Sequence, residues 1–146
     1  MMKLDELLEE WNKDCSIDES KIGNEIIKIP QLHAKYLKIL NDHKMGSLKS
    51  KFDFDKMKNI KTEYYLGHLD KETLDAYGWE QFDIKVGTKN NIERYINSDE
   101  QLIKLLQKKS YHDQVVSTCE QILNELKNRS WQMKTLVDYN KFLSGA

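Results

Sequence analysis

The sequence predicts an all-α protein: amphipathic helices, with a long carboxy-terminal helix that packs in a homo-oligomeric helical assembly. Three observations point there. Apolar residues recur at helical spacing, as in Met57, Ile60 and Tyr64 and again in His112, Val115, Cys119, Ile122 and Leu126. Pro30 is the only proline in 146 residues. Hydrophobic residues make up 39% and charged residues 32%, a modest core beside long apolar stripes, which implies burial by self-association.

Leu4, Leu7, Leu8 and Trp11 give a short first helix with Asp5, Glu6, Glu9 and Glu10 opposite. Acids in a first turn suit the positive end of the helix dipole. Such a short helix is marginal alone and must dock on a partner element. Ser16 or Asp18 caps the next helix, whose seam is Ile22, Ile26 and Ile29. Pro30 predicts a kink or break, because its ring lacks an N–H and clashes with the preceding turn. The pattern resumes at Leu32, Tyr36, Ile39 and Leu40, and Asn41 to Gly46 reads as a connection. The central helix carries two stripes. Met57, Ile60 and Tyr64 form an apolar back, and Lys58, Lys61 and Tyr65 form a polar front, so Tyr64 faces the core and Tyr65 faces out. Gly67 suits the left-handed residue that ends this helix.

From Leu66 the periodicity fades, and Leu69 to Asn91 has no clear period. A short helix at Lys71–Tyr77 and a brief strand at Phe82–Val86 are the local alternatives to an ordered loop. Trp79 and Phe82 serve there either as stacking rings or as plugs that hold the loop down. Ile92 to Ile96 is a short apolar turn. Ser98-Asp99-Glu100-Gln101 reads as a capping box opening a long helix, with Leu102, Leu105 and Leu106 starting its stripe. Asn128 to Ser130 predicts a break before a last helix carrying Trp131, Met133, Leu136, Val137 and Phe142.

The net charge is −1, so bulk charge does not announce a polyanion binder. Its distribution says more. Residues 1–25 carry three lysines against eight acids, and 44–61 carry six lysines against two acids. One basic stretch on a polar molecule suits a salt-sensitive site for a polyanion. The candidate strand contacts are Lys58, Lys61, Tyr65, Lys56 and Lys51: ammonium groups pair with phosphates, and a ring stacks on any base without reading it. The bland alternative is that these lysines are solvated, and Glu63 between the stripes weakens the field. The candidate oligomerisation residues are Leu105, Val115, Cys119, Ile122, Leu126, Trp131, Leu136 and Phe142, on the expectation that one short chain cannot cover the seam.

No Gly-rich phosphate loop, metal-spaced Cys/His cluster or nucleophile motif is present, so neither an enzyme nor a cofactor is expected. Cys15 and Cys119 are too few and too separated for a disulfide framework and read as small buried hydrophobes. No signal peptide or long apolar run points to secretion or a membrane.

Three blocks in order resemble the UvsY family, the recombination mediators of tailed bacteriophages. Lys61–Asp70, KTEYYLGHLD, is similar to its basic–acidic–Tyr-Tyr–x–Gly block. LDELLEEWNKDCSIDESK, from Leu4, is similar to its opening helix and Ile-Asp-x-Ser-Lys turn. In CEQILNELKNRSWQMKTLVDYNKFLSG, Cys119, Leu123, Lys127, Arg129, Lys134, Phe142 and Gly145 fall at its spacing. The resemblance implies a ring-like homo-oligomer that binds single-stranded DNA coated by the phage single-strand-binding protein. It also implies help for the phage recombinase, UvsX-like, in nucleating its filament, within the cytoplasm of an infected bacterial host. Lys61, Glu63, Tyr64 and Tyr65 match the family's block, whereas its other basic position falls on Asn59, with Lys58 as the substitute. Three regions follow: 1–67, helical with the basic strand-binding face; 68–97, connecting; 98–146, helical and oligomerising. A helical adaptor that binds only proteins and a nonspecific duplex-binding protein are the alternative readings.

Overall fold

The structure, a computed structural model, describes residues 1–83 and 89–145. Among these residues there are five α-helices, one 3₁₀ turn and no strand. The helices are α1 (Leu4–Asp14), α2 (Ile22–Tyr65), α3 (Lys71–Tyr77), α4 (Lys89–Asn97) and α5 (Glu100–Leu143). The strand expected at Phe82–Val86 lies largely outside the described residues. The chain forms two compact units, one from 1–45 with 112–146 and the other from 46–111.

Two long helices run through the interruptions that the sequence reading placed at Pro30, at 41–46 and at 128–130. Helix α2 runs through Pro30 and through 41–46 for 44 residues. A helix-interior proline costs about 3 kcal/mol. Burial of Tyr36, Ile39 and Leu40 just beyond it contributes roughly 1.5–3 kcal/mol each, which outweighs that cost. The inward positions of α2 are Ile22, Glu25, Ile29, Leu32, Tyr36, Ile39 and His43, at 3-4 spacing throughout. Ile26 lies off that phase and is exposed, contrary to the expected seam. Helix α5 likewise passes through 128–130 without a break.

The first unit is built on a hydrophobic cluster: Leu7 from α1, Tyr36, Ile39 and Leu40 from α2, and Val115, Cys119, Ile122 and Leu126 from α5. This corrects the expectation that the α5 seam needs neighbouring subunits, because the chain's own α1 and α2 cover it. Three polar devices fix the packing. Tyr36 donates its hydroxyl to Asp14 Oδ2 at 2.7 Å, and Lys35 bridges Glu10 and Asp14 at 2.7 Å each. Arg129, buried where a break was expected, donates to the Asp14 and Cys15 carbonyls at 3.2 and 2.9 Å and so satisfies the end of α1. His43 Nε2 lies 2.7 Å from the Met2 carbonyl oxygen, and its Nδ1 lies 2.9 Å from His112 Nδ1. A carbonyl only accepts, so a neutral His43 donates from Nε2 and accepts from His112 at Nδ1.

Cys119 is buried, and burial pushes its thiol up to about 11. Cys15 is exposed, against the expectation that both cysteines are buried.

Candidate nucleic-acid interface

In the second unit, two glycines end helices in the same way. Gly67 has φ +75°, its N–H donates to the Tyr64 carbonyl, and His68 N–H donates to Glu63. Gly78 has φ +71°, with Gly78 N–H on Asp75 and Trp79 N–H on Leu74. This paired 5→2 and 6→1 closure needs a left-handed residue, which glycine adopts without a Cβ penalty. The stop at Gly67 matches the sequence expectation, and α3 is the short helix that stood among the alternatives for this stretch. The two turns bring Trp79 and Phe82 back against the end of α2.

There they enclose Lys61. Only 6% exposed, its Nζ lies 3.1 Å from Asp99 Oδ2 and 4.0 Å from the centre of the Trp79 ring. Tyr65 donates to the same Asp99 oxygen at 2.6 Å and stacks on Tyr95 with ring centres 5.5 Å apart. Phe82 meets Tyr65 edge-on at 5.0 Å and Tyr64 at 5.8 Å. The expected exposed front of Lys58, Lys61 and Tyr65 is therefore corrected. Lys61 and Tyr65 both turn inward to one carboxylate, and only Lys58 remains on the surface. Tyr64 and Tyr65 are both half-buried, so the expected division between an inner and an outer ring does not hold.

Asp99 is the residue that sequence reasoning undervalued. Its Oδ1 accepts from Leu102 N–H at 3.0 Å, so it caps α5. Ser98, the expected cap, instead donates its hydroxyl to the Arg94 carbonyl at 2.9 Å at the end of α4. Burial raises the Asp99 carboxyl, but the Tyr65 hydroxyl, the Leu102 N–H and the Lys61 ammonium outweigh burial and hold it below the ordinary aspartate value. The signal was present in the sequence, since Asp stood one position along in the capping segment.

Lys51, Lys56 and Lys58 are exposed. Lys51, Lys58 and Thr62 share one face of α2, at spacings of seven and four, with Asp55 between them. Lys58 and Thr62 form one wall of a cleft of about 410 Å³, and Ile92, Glu93, Ile96 and Asn97 of α4 form the other. Lys56 borders a second cleft with Asp53, Met57, Ile60, Tyr77 and Leu105, so the Leu105 stripe serves this unit. Glu63 is exposed and meets His68 Nδ1 at 2.9 Å. Of the remaining oligomerisation candidates, in the first unit, Trp131 and Phe142 are 71% and 77% exposed, and Leu136 is half-buried. Among the described residues, no group of three His, Cys, Asp or Glu is placed to hold a metal, and no helix is long and apolar enough to cross a membrane.

Residues 10–146 match the family described as "Recombination, repair and ssDNA binding protein UvsY". The chain belongs to the UvsY family. A relative from Enterobacteria phage T4, "Recombination protein uvsY", is 23% identical over 144 residues and covers 99% of each chain. Two crystal structures of the bacteriophage T4 recombination mediator protein UvsY share the fold, each with a TM-score of 0.84 and 22% identity. The lattice type II structure covers 99% of both chains, and the lattice type IV structure covers 97% of this chain and 99% of the other. The all-α expectation and the family resemblance are thus both met.

Proposed function

We propose that this UvsY-family chain is a recombination mediator. It binds single-stranded DNA and helps load a UvsX-like phage recombinase onto DNA coated by the single-strand-binding protein. The family match across 10–146 carries this reading. The exposed lysines Lys51, Lys56 and Lys58 supply the phosphate contacts, and Lys58 stands where the cleft opens beside it. The family's basic position at Lys61 works here by holding Asp99 and Trp79, so the strand contact moves to Lys58.

The action requires no covalent step. Binding energy, multiplied over several copies, holds a strand in a form that the recombinase takes up and the coat protein does not. Copies assemble through the exposed apolar end of α5, where Trp131, Tyr139, Phe142 and Leu143 stand clear of the core. One strand crossing several weak sites gains by effective concentration, which makes two or three lysines per copy sufficient.

The test titrates the protein with a single-stranded oligonucleotide, the matching duplex, and a strand pre-coated with the single-strand-binding protein. The mediator binds the single strand in preference to the duplex and shortens the recombinase's lag on the coated strand. Preference for duplex, or no binding to either, rejects it. Light scattering on Trp131→Asp/Phe142→Asp tests the assembly surface, with smaller particles and weaker binding to long strands expected together.

A further inference from the structure

We infer that the cleft between α2 and α4 in the second unit is a seat for one unpaired nucleobase, with the adjoining phosphate held by Lys58. The inference rests on the single-strand reading above and names what that site grips besides phosphate. The cleft has the size of a small-molecule site, and its walls divide by chemistry. Ile92 and Ile96, one turn apart on α4, supply an apolar wall for a base face; Ile96 is 7% exposed and so firmly placed. Glu93 and Asn97, also one turn apart, supply a carboxylate that accepts and an amide that donates. On the α2 wall the Thr62 hydroxyl is committed to the Lys58 carbonyl at 2.7 Å, which leaves the Lys58 ammonium as the cation at the rim.

This arrangement suits a base better than another polyanion fragment. A phosphate pushed into the cleft meets the Glu93 carboxylate, whereas a base meets an acceptor and a donor side by side. Each of the four bases carries a neighbouring donor and acceptor on its pairing edge: N4 and N3 of cytosine, N3 and O4 of thymine, N6 and N1 of adenine, N1 and O6 of guanine. Glu93 and Asn97 therefore engage any unpaired base without selecting one. In a duplex that edge is already paired, so the cleft also distinguishes single strands from double strands. The rings singled out from the sequence are already engaged: Phe82 meets Tyr65, Tyr65 bonds Asp99, and Trp79 covers the Lys61 ammonium.

The experiment compares a thymidine oligonucleotide with an abasic strand of the same length and phosphate count, by fluorescence anisotropy at one salt concentration. Wild-type protein should bind the base-bearing strand about five-fold more tightly, the size of one net hydrogen bond. Asn97→Ala and, separately, Glu93→Gln change exposed side chains. Asn97→Ala should bring the ratio towards one while leaving abasic affinity in place. Glu93→Gln removes a charge and raises both affinities, but it too should lower the ratio, since the amide is the weaker acceptor. Lys58→Ala should weaken both strands alike. A wild-type ratio of one with firm binding of both strands overturns the base seat and leaves the single-strand function standing. So does a ratio unchanged in Asn97→Ala. Failure to bind either strand overturns both readings.

Discussion

The two units solve the same packing problem with different chemistry. The unit of 1–45 and 112–146 is held mainly by aliphatic side chains packed around the Tyr36 ring in a 3-4 seam, with polar groups closing helix ends. The unit of 46–111 has few such chains and is held by five aromatic rings around one ion pair. Aliphatic burial is non-directional and tolerates imperfect geometry. A buried lysine and aspartate tolerate little, because each leaves an uncompensated charge when the other is removed. The second unit should therefore fail more sharply under changes of charge, and the first under changes of volume.

The largest expected effect breaks the first unit. Tyr36→Ala removes a fully buried ring, its edge contact with Trp11 at 5.6 Å and its bond to Asp14. A loss of about 3–5 kcal/mol is expected in urea unfolding. Tyr36→Phe, which keeps the volume, should cost far less; equal losses would show that the hydrogen bond, and not the packing, dominates.

Next comes the ion pair. Lys61→Ala strands Asp99 and should cost about 3 kcal/mol, the lower end for a broken buried pair, because Tyr65 and Leu102 still bond the carboxylate. Lys58→Ala should change the melting temperature little and instead flatten the salt dependence of strand binding by about 0.7 in slope. Retained stability in Lys61→Ala would show that the aromatic rings, and not the charge, hold the second unit.

Acid sharpens the comparison further. Asp99 is held below the ordinary aspartate value, and so is Asp14, whose bonds to Lys35 and Tyr36 outweigh the raising effect of burial. A depressed carboxyl contributes stability that is complete above the unfolded value, near 3.9, and is lost as pH falls through the folded value. Tyr65→Phe removes one of the groups lowering Asp99 and should shift acid unfolding to higher pH, read by circular dichroism. The smallest effect is chemical: in the folded protein a maleimide should label Cys15 and spare Cys119, and two labels per chain without denaturant would mean that the first unit opens readily.

How much of this was legible in the sequence follows from the same contrast. The α5 seam from His112 to Leu126 could be read because nearly every member is apolar. In α2 the inward positions include Glu25, His43 and Ser50, all buried, so the repeat looked broken where it continues. At Arg129 a charged residue likewise sits in the seam and caps α1. Hydrophobic patterning registers volume and misses polar groups whose partners are distant in sequence. Lys61 shows the cost for the candidate site: its spacing placed it beside Lys58, but 38 residues separate it from the aspartate that draws it inward.

The division of the chain also orders events at the ribosome. Residues 46–111 are continuous, so every partner of Lys61 has been made by the time Asp99 and its first helical turn emerge. The other unit is split, and its 112–146 part is made only after the whole of 46–111. At 5–20 residues per second, Leu7, Tyr36 and Ile39 wait several seconds for Val115, Ile122 and Leu126. The nascent chain thus carries an uncovered apolar surface on residues 1–45 until the seam of α5 has been made. The acids of α1, Asp5, Glu6 and Glu9, are exposed beside that surface and keep the waiting segment charged and soluble.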